Sequence, residues 1–162
     1  MKANYLIELN DLVKHLLKEK DIAEKISLLK EEVIDTDDTF VWSVIDSKYL
    51  PDKLPGDLKS GWIFVLKRGT PSGCHYHPNS VQHMVMIEGK GESKVGGVSK
   101  KMNHLASPNH TPEEIWYVIE EGVEHEFFPE ERDMVVISFH TCEANELKEI
   151  SCNSNESRFY EG

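Results

Sequence analysis

The sequence predicts a mainly β domain, a sandwich or a small barrel, preceded by a pair of helices. From residue 61 onward, short segments rich in β-branched and aromatic residues recur between glycine, proline and polar turns. Before residue 35, apolar residues recur at helical spacing among lysines and glutamates. A chain of 162 residues is long enough for one domain with its own core.

The helical segment covers residues 3–34. Its apolar residues, such as Leu12, Val13 and Leu16, are separated by charged residues. Asp21 and Glu24 resemble a capping box, so we predict a break near Lys20 and a second helix after it. The favoured interpretation is that both helices pack on the β domain; the alternative is an arm that binds a partner or forms a dimer.

The β segments follow a second pattern, in which apolar and β-branched residues form short runs. Strands are predicted at 39–45, 62–66, 81–87, 92–95, 115–119, 124–128 and 134–139. A polar loop is predicted at 99–113 and an irregular tail at 151–162. We therefore divide the chain into a helical segment at 1–36, a β barrel at 37–150 and the tail.

Charge and cysteine content limit the partners and the compartment. A net charge of -11 disfavours nucleic acid and anionic membranes, because such a surface repels phosphate. The three cysteines, Cys74, Cys142 and Cys152, do not suggest a disulfide framework, and Cys74 is interpreted as a buried thiol. With no signal-peptide or membrane-spanning pattern, we expect a cytoplasmic protein.

The stretch from Gly69 to Gly89 carries the chemistry. His75 and His77 are separated by one residue, so in a strand both imidazoles point to the same face and can reach one metal ion. Gln82 opens the next apolar strand and offers an amide oxygen. Strand alternation predicts that a neighbouring residue, His83, faces the opposite way and is either structural or at an interface.

This stretch resembles the first motif of the cupins: Gly, five residues, His-x-His, four residues, an acidic position, six residues and Gly. Every spacing is met, with Gln82 in place of the family's glutamate. The second cupin motif is eroded: Gly122 and His125 are present, whereas its first Gly, its Pro and its Asn are replaced. The resemblance covers roughly residues 60–140 and implies a jelly-roll-like, double-stranded β-helix barrel.

The resemblance implies four metal ligands, His75, His77, Gln82 and His125, around one divalent transition metal such as Zn, Fe, Mn or Ni. A neutral amide in place of a carboxylate leaves the full charge on the metal. We therefore expect Lewis-acid chemistry of isomerase or lyase type on a small polar or anionic metabolite. His140 is the candidate general acid or base.

Two alternatives stay open. The site also resembles that of the thiol dioxygenases, which bind iron through three histidines only; His140, in Ser138-Phe-His140, then resembles their second-shell histidine, and Arg68 is the candidate for holding a substrate carboxylate. The other alternative is a non-catalytic cupin that binds a small ligand. In each case we expect a small-molecule partner and a homodimer, without nucleic acid or membrane.

Overall fold

The computed structural model describes residues 2–160 of the chain, and their side chains from residue 5 onward. The helices are α1 (Lys2–Leu16), α2 (Lys20–Asp35) and the short α3 (Pro112–Ile115). The strands are β1 (Phe40–Val44), β2 (Ser60–Leu66), β3 (His75–Tyr76), β4 (Gln82–Glu88), β5 (Gly91–Val95), β6 (Val98–Lys101), β7 (Tyr117–Ile119), β8 (His125–Pro129), β9 (Met134–His140), β10 (Lys148–Ser151) and β11 (Ser157–Phe159).

The strands form two antiparallel sheets. The first sheet has the order β1-β2-β9-β4-β7, and the second has the order β11-β10-β3-β8-β5-β6. Apolar side chains from both sheets meet in one inner cluster, so the sheets face each other as in a jelly roll. The predicted mainly β fold with an N-terminal helical pair is therefore confirmed.

The first sheet is buried on both faces. Trp62 and Phe64 of β2 point into the space between the sheets, whereas Ile63 and Val65 of the same strand point outward to the helices. This double burial explains why β2 and β9 are near-continuous apolar runs rather than alternating ones. The sheet is thus a middle layer between the helices and the second sheet.

The helical pair packs on the outer face of the first sheet. Leu9 and Val13 of α1, and Leu29 and Val33 of α2, are buried in one cluster with that face. Each fully buried side chain of this type contributes about 1.5–3 kcal/mol. The expectation that the helices pack on the β domain is confirmed.

Two segments differ from their predictions. The segment predicted as a loop at 99–113 contains most of β6 and the first half of the short helix α3, because Gly96 and Gly97 turn the chain back and β6 pairs with β5. All four residues of β6 are exposed, so no apolar alternation marked this strand. The prediction of an irregular tail is also wrong, since β11 pairs with β10 and Tyr160 is buried.

The cysteines correct a further prediction. Cys74 and Cys152 form a disulfide, with their Cα atoms 5.5 Å apart, so Cys74 is not a free thiol. Cys142 is free and buried. The cysteine count therefore no longer supports a reducing compartment, and the cytoplasmic location stays a prediction. Among the described residues, no helix combines the length and apolar character needed to cross a membrane.

Gly89, the last glycine of the first motif, has a steric role that can be measured. Its φ is +94°, and a Cβ there would lie 2.6 Å from the backbone oxygen of Asp133. Gly97 has a similar φ of +83°, but a Cβ there would meet nothing within 4 Å. We predict that Gly89→Ala lowers the free energy of unfolding by about 3 kcal/mol or more, and that Gly97→Ala lowers it by about 1–2 kcal/mol.

Urea denaturation of the two variants measures this difference. Equal losses of stability would show that the close approach of the chain at Gly89 does not constrain the turn between β4 and β5.

Candidate metal centre

Three histidines meet at one end of the space between the sheets. His75 of β3 and His125 of β8 are paired directly across neighbouring strands, and His77 follows two residues after His75. The ring centroids are 4.4 Å apart for His75 and His125, and 5.2 Å apart for His75 and His77. One nitrogen of each of the three rings lies within 4.8 Å of those of the other two. The rings are thus close enough to share one metal ion.

Backbone carbonyls fix the orientation of all three rings. The Nδ1 atom of His75 donates to the carbonyl of Gly73 at 3.1 Å, and that of His125 donates to Val123 at 2.9 Å. The Nδ1 atom of His77 donates to the carbonyl of Lys148 at 2.8 Å. A carbonyl can only accept, so each ring carries its proton on Nδ1 and leaves a lone pair on Nε2. This is the tautomer that an Nε2 ligand requires.

Burial keeps the three rings neutral. It lowers the pKa of His75 to about 3 and the pKa of His125 well below its ordinary value, with neighbouring histidines adding to both effects. Burial also lowers the pKa of His77. Three smaller effects raise it: the hydrogen bond to the Lys148 carbonyl, the charge of Glu149 and the Gln82 side chain. The Glu149 carboxylate lies 3.5 Å from Nδ1 of His75, but with a neutral ring this contact is not an ion pair.

Gln82 approaches the cluster from the opposite sheet, as the first residue of β4. Its Nε2 lies 3.6 Å from the sulfur of Met84, and its Oε1 is buried without a hydrogen-bond partner. Among the described side chains, only two other buried atoms lack a partner, Nε2 of His125 and Nδ1 of His83. A buried acceptor without a partner costs about 1–3 kcal/mol. A bound cation would offset this cost at Oε1 of Gln82 and at Nε2 of His125.

His140 is an inner neighbour of the cluster. It ends β9, pairs with Gln82 of β4, and its ring centroid lies 5.1 Å from that of His77. Nδ1 of His140 shares a hydrogen bond with the Ser80 hydroxyl at 2.8 Å, and Nε2 shares one with Ser138 at 3.2 Å. Burial lowers its pKa well below the ordinary value. Both nitrogens of this neutral ring are therefore occupied by hydroxyl groups.

Two other predicted residues lie outside the centre. His83 is on the opposite face of β4, where its Nε2 is 2.9 Å from the Tyr5 hydroxyl of α1, so its predicted orientation away from the centre is confirmed. Arg68 is on the surface and pairs with Asp133 at 3.2 Å, with 60% of its side chain exposed. Arg68 is not among the residues that line the cavity beside His75, so the structure does not support its candidacy for holding a substrate carboxylate there.

Sequence reasoning missed three residues from the C-terminal part of the chain. Glu149 of β10 accepts hydrogen bonds from Arg158 of β11 and from the Tyr160 hydroxyl, and it lies beside His75. The local sequence gave little signal, because this part of the chain is polar and its strands are short. The one clue was Cys152, whose partner Cys74 precedes the first histidine.

A small cavity of about 30 Å³ adjoins the centre. Its polar contributors are His75, Gln82, Ser72 and Tyr160. Its other walls are apolar and come from both sheets: Phe40, Phe64, Leu66, Met84, Phe127 and Val136. No lysine or arginine lines it, so the described walls supply no fixed positive charge.

Comparisons with known proteins support the fold. No family model matches the sequence, and no curated protein matches it. Salicylate 1,2-dioxygenase from Pseudaminobacter salicylatoxidans is similar in structure, with a TM-score of 0.54 at 11% identity, over 73% of this chain and 33% of that chain. A vicilin from Solanum melongena has a TM-score of 0.54 at 13% identity, over 75% of this chain and 32% of that chain.

The cupin domain of Schizosaccharomyces pombe Cnp3 has a TM-score of 0.47 at 8% identity, over 64% of this chain and 65% of that chain. The present chain thus spans about a third of the length of the salicylate dioxygenase and the vicilin. At these identities the likeness concerns the fold alone.

The ligand role of the histidines can be tested by removing two of them. We predict that the double variant His75→Ala/His77→Ala loses at least about nine-tenths of its bound metal, because one imidazole and one amide do not hold a divalent ion in competition with water. Elemental analysis after dialysis measures the metal content.

A matched control replaces two histidines outside the centre, His104 and His110, with alanine and should retain its metal. Far-ultraviolet circular dichroism checks that both proteins are folded. Full metal occupancy in the first variant would remove the proposed centre.

Proposed function

Because the protein has the cupin fold, we propose that it is a metal-dependent enzyme whose single divalent ion is held by His75, His77 and His125, with Gln82 as the fourth ligand. The observation that carries the proposal is the set of three backbone carbonyls that fix the proton of each ring on Nδ1. Ordered tautomers with free Nε2 atoms are typical of imidazoles prepared for a metal.

The ligand set supports Lewis-acid chemistry. When bound, the metal would polarise a carbonyl or hydroxyl oxygen of a small substrate. The three imidazoles and the Gln82 amide are all neutral, so the chain's own ligands cancel none of the ion's charge. The reaction class that we propose is therefore isomerase or lyase chemistry on a small polar or anionic metabolite.

His140 is the proposed proton acceptor. Its neutral ring has a centroid 5.1 Å from that of His77, and this proximity supports a role as the base beside the centre. To accept a proton from a substrate, the ring must exchange one of its serine hydrogen bonds, and the Ser138 hydroxyl faces the same interior. In this proposal Ser138 and Ser80 orient the imidazole between proton transfers.

The apolar cavity favours a second candidate, a mononuclear iron dioxygenase related in chemistry to the thiol dioxygenases. The walls beside His75 are mainly aromatic and aliphatic, which suits a small apolar gas molecule better than a charged metabolite. In this alternative the three histidines alone hold iron, and Gln82 is not a ligand.

Gln82 distinguishes a four-ligand site from a three-ligand site. We predict that Gln82→Glu binds the metal about tenfold more tightly, since a carboxylate adds a negative charge, and that Gln82→Leu binds it about tenfold more weakly. Competition with a chelator of known affinity measures both effects. If both variants have the wild-type affinity, Gln82 is not a ligand and the histidines hold the metal alone.

Metal identity and oxygen use distinguish the two reaction classes. For the Lewis-acid candidate we predict that protein purified without added metal contains zinc, manganese or nickel, and that it consumes no oxygen with small thiols. Elemental analysis and an oxygen electrode make the two measurements, with the His75→Ala/His77→Ala variant as the control. Iron together with thiol-dependent oxygen uptake would establish the second candidate and rule out the first.

A further inference from the structure

Tyr160 forms one wall of the cavity beside the metal centre. Its side chain is 4% exposed and forms part of the cavity wall together with His75 and Gln82. Its ring centroid lies 5.7 Å from that of Trp62 and 6.3 Å from that of His77. An aromatic ring from the last described part of the chain is therefore inserted between the sheets.

The cavity, with Tyr160 in its wall, is too small for a metabolite. A volume of about 30 Å³ holds about two water-sized molecules. Pockets that bind metabolites usually measure about 300–1,000 Å³. A larger substrate can reach His75 and Gln82 from this side only if part of the wall moves.

Polar contacts hold Tyr160 in place. Its hydroxyl donates to one oxygen of Glu149, while Nε of Arg158 donates to the other oxygen at 2.6 Å. The Arg158 guanidinium also lies 5.4 Å from the centre of the Tyr160 ring and 5.0 Å from that of Phe40. Burial raises the pKa of Tyr160 well above its ordinary value, so the phenol remains a donor. These contacts form a latch of Tyr160, Arg158 and Glu149.

The two strands that carry the latch are anchored to different extents. The end of β10 is fixed by the disulfide between Cys74 and Cys152, and the Lys148 carbonyl accepts from His77. By contrast, β11 is a three-residue edge strand that pairs with β10 alone, and Phe159 is 54% exposed. Opening of the cavity therefore requires the segment from 153 to 160 to detach and to withdraw Tyr160 from its contacts with rings such as Trp42 and Phe64, while β10 and the histidines keep their positions.

We propose that Tyr160 is a size-determining gate: its ring excludes molecules larger than a few atoms from the metal-side cavity, and release of the latch admits them. The inference deepens the proposed function and rests on it for the identity of the site behind the gate. The gate itself is a property of the folded chain and can be tested in metal-stripped protein.

The oxidation rate of the Met84 side chain measures how easily a molecule enters the cavity. Its side chain lines the cavity and is 1% exposed, whereas Met134 is 0% exposed in the same inner cluster but does not line the cavity. A peroxide converts a thioether to its sulfoxide and is itself reduced to water or an alcohol. Hydrogen peroxide serves as the small probe and tert-butyl hydroperoxide as the bulky one, with oxidation sites located by tandem mass spectrometry.

We expect that opening the gate increases oxidation of Met84 more for the bulky peroxide than for hydrogen peroxide. Tyr160→Ala should raise the rate of Met84 oxidation by tert-butyl hydroperoxide at least about tenfold, with a smaller increase for hydrogen peroxide. Arg158→Gln, which breaks the latch but keeps the tyrosine ring, should raise the same rate several-fold. This second variant replaces a part-exposed side chain and keeps the test decisive if Tyr160→Ala does not fold.

Two controls distinguish a gate from general loosening. Phe159→Ala removes the exposed neighbouring ring and should leave the rate at Met84 unchanged, while Tyr160→Phe keeps the ring but removes its hydrogen bond to Glu149, so its rate should lie between those of the wild type and Tyr160→Ala. The proposal is overturned if neither Tyr160→Ala nor Arg158→Gln increases oxidation of Met84 by the bulky peroxide. It is equally overturned if the rate at Met134 rises in parallel, because Tyr160 then only stabilises the fold.

Discussion

The centre depends on one kind of interaction, a hydrogen bond from Nδ1 of a buried histidine to a backbone carbonyl. It occurs at His75, His77 and His125, and each bond fixes both the tautomer and the ring orientation. The carbonyls that hold His75 and His125 lie two residues before each ring, whereas the carbonyl that holds His77 comes from β10, so this third ring is aligned only when strands distant in sequence assemble. The fold and the centre are therefore specified by the same contacts.

The sheet topology explains why these side chains meet. His75 and His125 are opposite each other on neighbouring strands of the second sheet, while Gln82 and His140 are opposite each other in the first. Because the sheets face each other, one pair of residues from each sheet lines a common interior. Burial of this interior lowers the histidine pKa values and keeps the rings neutral, which is the state that a metal ligand requires.

Sequence reasoning succeeded where the signal was local. His75 and His77 lie on one short stretch, and alternation along β4 predicted that Gln82 faces inward and His83 outward. It failed where contacts join distant parts of the chain. Cys74 and Cys152 are 78 positions apart, and neither spacing nor composition identified them as a pair. Tyr160 follows a short polar strand, β11, and its position depends on contacts with Glu149 and Arg158 rather than on an apolar pattern.

The most direct test of the centre is X-ray absorption spectroscopy at the metal edge of protein purified without added metal. We predict three imidazole nitrogens at about 2.0–2.2 Å together with oxygen ligands, as expected for His75, His77, His125 and the Gln82 amide. Sulfur in the first coordination sphere would instead indicate a site near Glu124 at Cys74 and Cys152 in their reduced state, because the disulfide between them offers no thiolate. That result, or fewer than three imidazoles, would contradict the account.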